Sequence, residues 1–177
     1  MKISRVVGVI ALVSMFAPWA ARAERHEYLR WVSRDRLTVE VKEGETSGEI
    51  IVGGDAIFRT EFCDMSSGYY CFFSAHHAFA VPRTFPATAR EWTVQGVTFR
   101  VAARDVAVNV LGREMKGLLE IWADGYPGYG ETKWRFLYSQ HDGLVAFASE
   151  NLRATYWLSG VTGFGASRRD SDADDPK

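Results

Sequence analysis

Residues 56–75 read AIFRTEFCDMSSGYYCFFSA, and this stretch decides the fold class. Two β-rich arms, Ala56–Cys63 and Tyr69–Ala75, flank a Ser-Ser-Gly turn, and each carries one of the two cysteines of the chain. If Cys63 faces Cys71, the pairing centre falls on Ser67, and the loop is Ser66, Ser67 and Gly68. A three-residue hairpin loop wants a left-handed final residue, which glycine supplies without steric cost. Crosslink and turn chemistry therefore demand one register. It sets Phe62 against Phe72 and Phe58 against His76 on one face, with Cys63/Cys71, Glu61/Phe73 and Arg59/Ala75 on the other. The phenylalanine face is the expected core face. Closing so short a loop stabilises by about 2.5 kcal/mol on the chain-entropy model, a staple on one hairpin and not a disulfide scaffold.

The same punctuation recurs outward. Leu37, Val39 and Val41 alternate with polar neighbours, a polar turn leads to Ile50–Val52, and Gly53-Gly54-Asp55 reverses the chain into Ala56. After a loop marked by Pro82 and Pro86, strands are expected at Trp92–Val94, Val97–Ala103, Val106–Leu111, Met115–Ala123, Thr132–Ser139, Leu144–Ser149 and Thr155–Ser159. Asp142-Gly143 signals a two-residue turn. It would pair His141 with Leu144, Tyr138 with Phe147, Leu137 with Ala148 and Arg135 with Glu150. The fold class is all-β, a mostly antiparallel meander of about 9–11 short strands forming a small barrel or a two-sheet sandwich. Ala87–Glu91 could form one helical turn. Residues 24–36 read as a short helix or a first strand, which leaves α+β as the alternative.

Met1–Arg5 is a short positive start, Val6–Ala17 is apolar, and Ala21-Arg22-Ala23 is a small-x-small site. That order is a secretory signal peptide, 1–23, cleaved after Ala23. Its apolar run is too short to span a bilayer, and Pro18 interrupts it, so no membrane span is expected in the mature form. Residues 24–166 make one β domain, long enough to bury about 70% of its unfolded surface. Residues 167–177 lack any large apolar side chain and read as a disordered tail. The leader holds Lys2, Arg5 and Arg22 and no acid, so the remaining 18 basic residues meet 22 acidic ones, a formal −4. A negative chain without a basic cluster is a poor nucleic-acid binder. An exported chain with two cysteines pairs them, so Cys63–Cys71 and the leader agree on a periplasmic or secreted protein.

Catalytic chemistry has little to stand on. His76 and His77 are adjacent, and on a strand they would point to opposite faces. No spacing supplies the three or four ligands of a zinc site, so no metal and no cofactor is expected. Ser139, His141 and Asp142 have the residue types of a triad, but the first two lie on one strand and Asp142 is expected to point away from the ring. No G-x-S-x-G or S-x-x-K accompanies them. Glu120 and Asp124 flank Trp122 and could serve a hydrolase acting on cell-wall or polysaccharide material, together with His141; a solvated strand face explains them equally.

The most unusual segment is Trp122–Gly130, WADGYPGYG. Tyr126 and Tyr129 in a Gly- and Pro-rich connection are suited to recognition, unless both rings fold back to cap the domain. Trp122, Tyr126 and Tyr129 are the candidate binding residues. The reading is a non-enzymatic, exported β domain that recognises a protein or envelope component as inhibitor, immunity protein or assembly factor. A hydrolase and a small apolar ligand carrier are the alternatives.

Overall fold

Glu24–Arg30 is a strand: His26 and Tyr28 are buried while Arg25 and Glu27 face outward, the period-two signature of a half-buried sheet. The structure is a computed structural model and describes residues 24–30, 32–41, 46–124, 133–149 and 154–167. In chain order the strands are β1 (Glu24–Arg30), β2 (Arg36–Val41), β3 (Ser47–Val52), β4 (Ala56–Phe62), β5 (Tyr69–Phe73), β6 (Ala78–Pro82), β7 (Glu91–Val94), β8 (Val97–Val110), β9 (Arg113–Asp124), β10 (Trp134–Ser139), β11 (Gly143–Ser149) and β12 (Ala154–Leu158). They form one antiparallel 12-stranded sheet in the order β6-β5-β4-β3-β2-β1-β12-β11-β10-β9-β8-β7, a nearly closed barrel. Strands β1 and β12 pair through Tyr28 with Leu158 and Leu29 with Trp157, so the chain meets itself in the middle of the sheet.

Several local expectations are corrected. Ala78–Pro82, expected as part of a proline loop, is an edge strand, with Pro82 as its last residue, where a missing N–H breaks no ladder. Val97–Val110 is one bent strand and not two: its pairing with β9 shifts between Val101 and Ala103, again before Val106, and again before Val108. Asp105 sits there at φ 55° and Gly117 opposite at φ 68°. No helix forms at residues 87–91; the only described helical turn is 3-10, Met65–Ser67, capped by the Asp64 carboxylate on Ser66 N.

The cystine hairpin keeps its expected register, Phe62 opposite Phe72 and Glu61 opposite Phe73, with Cys63 and Cys71 joined at a Cα separation of 5.1 Å. Gly68 is left-handed at φ 75°. Its connection is longer than three residues, because the 3-10 turn occupies Met65–Ser67. The second hairpin departs from expectation: Ser139 pairs with Gly143 and Tyr138 with Leu144, and a bulge then sets Phe136 opposite Phe147. Ser139 Oγ accepts from Asp142 N at 2.9 Å, and Gly143 takes the left-handed position at φ 77°, so the turn is Gln140–Asp142. Arg135 consequently opposes Ala148, and its charge goes instead to Glu120.

The barrel interior is filled with rings. Phe79 lies 5.2 Å from Phe136 and 5.9 Å from Tyr138, Phe72 lies 5.2 Å from Phe164, and Phe99 lies 6.3 Å from Phe136. Edge-on and tilted pairs such as these add to the burial itself. The outer wall is charged by contrast, with Arg25, Glu40, Glu49, Arg59, Glu61, Glu91, Arg100 and Arg135 on outward positions.

Three devices close the barrel. Strands β6 and β7 are the two ends of the sheet, and Trp92 bridges them: its indole Nε1 donates to Ala80 O at 2.9 Å while its ring stacks on Phe99 at 9°. The far halves of β8 and β9 fold back over the outside of β10, β11 and β12. There Val110, Met115 and Leu118 bury Leu137, Val145 and Ala146 in a second, smaller core. Residues 159–167 plug one end. Phe164 enters the ring cluster, its N–H donates to Tyr28 Oη at 3.0 Å, and its carbonyl accepts from Leu144 N at 2.9 Å. Tyr138 Oη donates to Gly165 O, and His26 Nδ1 lies 3.1 Å from Thr162 O. A Cβ on Gly163 would strike the Leu144 backbone. Ser167 N also binds Gln140 O at 2.7 Å, so the body of the domain extends one residue into the segment expected as tail; residues 168–177, and residues 1–23 with the cleavage site expected there, lie outside the described residues.

Candidate functional site

The expected recognition residues divide. Tyr126 and Tyr129 lie outside the described residues, in the connection that leaves β9 at Asp124 and rejoins the described chain at Lys133. Trp122 is described, and its position is decided by register. Strand β8 places Arg100 opposite it, β10 places Arg135 opposite it on the other side, and Glu91 of β7 opposes Arg100. One row across four strands thus reads Glu91, Arg100, Trp122, Arg135. Period-two alternation adds Glu120 and Asp124 to the same face.

On that face Trp122 keeps 41% of its surface exposed. Its indole is anchored nonetheless, with Nε1 donating to Glu120 Oε1 at 2.8 Å. The same carboxylate oxygen accepts from Arg135 Nε at 2.7 Å, and Lys133 Nζ lies 5.9 Å from the ring centroid. Arg100 binds Glu91 at 2.6 Å and reaches Asp124 at 3.5 Å. The hydrogen bond to Glu91 holds the Arg100 guanidinium above its usual pKa, fixing its charge. Arg100, Arg135 and Lys133 balance Glu91, Glu120 and Asp124, so the patch is polar, electrically even, and centred on one flat apolar ring. Glu120, largely buried, ties Arg135 and the indole together through one carboxylate oxygen, while the more exposed pairs around Arg100 are screened by solvent.

As a hydrolytic pair Glu120 and Asp124 would both have to act from within ion pairs. They lie four residues apart on β9 and on one face, with the Glu120 carboxylate turned to Trp122 Nε1 and the Asp124 carboxylate to Arg100.

The Ser139, His141 and Asp142 cluster is more compact than expected. The prediction that Asp142 points away from the ring is overturned: Asp142 Oδ1 lies 3.2 Å from His141 Nδ1, and Oδ2 lies 3.2 Å from Ser139 Oγ. The order is nevertheless wrong for a nucleophile. A triad places the histidine between serine and acid, whereas here the carboxylate stands in the middle and the serine hydroxyl donates to it. Arg113 Nη2, at 2.7 Å, neutralises that carboxylate. The cluster locks the tip of the β8–β9 hairpin to the β10–β11 turn.

The histidine pair is also corrected. His76 and His77 lie in the turn between β5 and β6, closed by Ser74 N on His77 O, and not on a strand. Both rings therefore reach Phe58, at 4.8 and 5.7 Å. His77 continues inward to Trp134 and Phe147, and burial, with His76 beside it, pulls its pKa down to about 4. Among the described residues no group of three or more His, Cys, Asp or Glu gathers as a metal site, and no helix is long and apolar enough to cross a membrane.

In comparisons with known proteins the chain matches no family model, no curated protein and no solved structure.

Proposed function

We propose that this chain is an exported, non-catalytic binding protein that recognises a macromolecular partner of the cell envelope, as inhibitor, immunity protein or assembly factor, through the outer wall around Trp122. The observation that carries the reading is the anchored, 41%-exposed indole inside a row of paired charges. Exposed tryptophan and arginine are the side chains that most often dominate a protein interface. The connection bearing Tyr126 and Tyr129 springs from the same strand, two residues beyond Asp124 in the case of Tyr126. A periplasmic or secreted location is supported by the leader sequence and the Cys63–Cys71 bridge. The pairing of Glu120 and Asp124 with arginines speaks against the hydrolase alternative, and the ring-filled interior against the apolar carrier.

Affinity capture from an envelope extract of the source cell tests this. The wild-type domain is expected to retain a partner. Trp122→Ala, which removes no core contact, is expected to weaken its capture about thirtyfold or more if the indole is an interface centre. Equal capture by wild type and Trp122→Ala, or no partner at all, refutes the proposal.

A further inference from the structure

A separate feature arises where the β8–β9 hairpin crosses back over the barrel. Between its arms, the β6–β7 connection and the β10–β11 turn lies an open cleft of about 480 Å3. Its floor is apolar, formed by the half-buried Phe85 and Leu119. Its rim comes from two separate segments, with the cations Arg104 and Lys116 on the hairpin and the imidazole of His141 on the turn.

Arg104 is positioned for a ligand. One guanidinium nitrogen donates to Ala89 O and the group lies over the Phe85 ring, 5.6 Å from its centroid. Those contacts fix the plane of a fork that has five N–H donors to offer. Lys116 meets Glu114 at 3.0 Å, but both side chains are about two-thirds exposed, so solvent screens the pair and the ammonium re-aims at little cost. His141 turns Nδ1 to Asp142, which leaves its other ring nitrogen directed away from that carboxylate. The one acid on the lining, Asp142, is already matched by Arg113 and capped by Ser139. Positive charge therefore exceeds negative at the mouth, over a floor that a ring could cover.

We propose that this cleft binds an organic anion, a carboxylate or phosphate group joined to an apolar body about the size of one ring. The volume is that of a small-molecule site. The anion would lie between Arg104 and Lys116, and the body against Phe85 and Leu119. This site does not depend on the partner-binding face at Trp122.

Titration of the folded, oxidised domain with phenyl phosphate and, in parallel, benzoate, followed by amide chemical shifts, tests the inference. Saturable shifts for at least one of the two, centred on residues 104, 116 and 139–142, are expected. The Arg104→Gln/Lys116→Gln double variant, altered only at exposed positions, should bind more than tenfold more weakly with its melting temperature unchanged, since hydrogen bonds to charged groups are the strong ones. Lys116→Arg should retain binding. Absence of saturable shifts with both probes, equal affinity in the double variant, or inorganic phosphate binding as tightly as phenyl phosphate would overturn the site or its apolar half.

Discussion

Phe164→Ala is the sharpest test of how this barrel is closed. The ring is 7% exposed and touches Phe72 at 5.2 Å, Phe62 at 5.7 Å, His26 at 5.8 Å and Phe79 at 6.3 Å, four neighbours from four strands. Alanine keeps the backbone bonds to Tyr28 Oη and Leu144 N, so the loss isolates the side chain. A buried Phe→Ala change costs about 3–5 kcal/mol. The upper part of that range applies, because the surrounding rings are fixed by strands and cannot collapse into the void. For a domain of this size a loss near 4 kcal/mol lowers the melting temperature by roughly 8–16 °C. Urea unfolding of the oxidised protein, read by tryptophan fluorescence, measures it. Phe164→Leu should recover most of the loss. The companion Tyr28→Phe leaves the Phe164 N–H buried without its acceptor and should cost about 1–3 kcal/mol. In a double-mutant cycle it should couple with Phe164→Ala, since the two sites touch. A loss below about 1 kcal/mol for Phe164→Ala would mean that residues 159–167 lie on the barrel without being wedged into it, and the plug argument fails.

Two further outcomes follow from the same geometry. Trp92→Phe keeps a ring at the seam but leaves Ala80 O without its donor. It should cost about 1–3 kcal/mol and speed amide exchange in β6 ahead of β2; unchanged exchange would show that the indole bond does not hold the seam. His77, held down to about 4 by burial and by His76, stays neutral in the fold where the unfolded chain protonates below its ordinary 6.5. Its contribution is therefore complete above pH 6.5, declines as pH falls toward 4 and levels below that, a loss on the order of 3 kcal/mol. Urea stabilities at pH 7 and pH 4.5 should differ less in His77→Gln than in wild type, and equal differences would refute the assignment.

What could be read from the sequence was whatever depends on neighbours along the chain. Phe62 opposite Phe72 was legible because Cys63, Cys71 and Gly68 all constrain one short loop. The β10–β11 hairpin misled because Asp142-Gly143 satisfies a two-residue turn on paper, while Ser139 Oγ captures Asp142 N and lengthens the loop. Strand β6 hid behind Pro82, which an edge tolerates and a central strand does not. The exposure of Trp122 was foreseeable from its place before a glycine-rich connection. Its arginine neighbours were not, because Arg100 reaches register with it only after three shifts along β8 that no local pattern announces. Arg113 reaches Asp142, and Arg104 comes to line one cleft with His141, only because the hairpin folds back, a long-range event.

The pairing of β1 with β12 has a consequence for how the chain is made. Strands β2 to β6 grow outward from β1 in one direction, and β7 to β12 form the other half of the same sheet, growing inward from the seam. Until residues 154–158 arrive, the first half presents two bare edges, and its aromatic lining has no opposite wall. Non-local closure of that kind is slow, and unpaired edges invite pairing with other copies. A molecule delivered amino end first would thus spend its most vulnerable interval waiting for its last strand, and losing that strand would leave two sticky half-sheets instead of a weakened barrel.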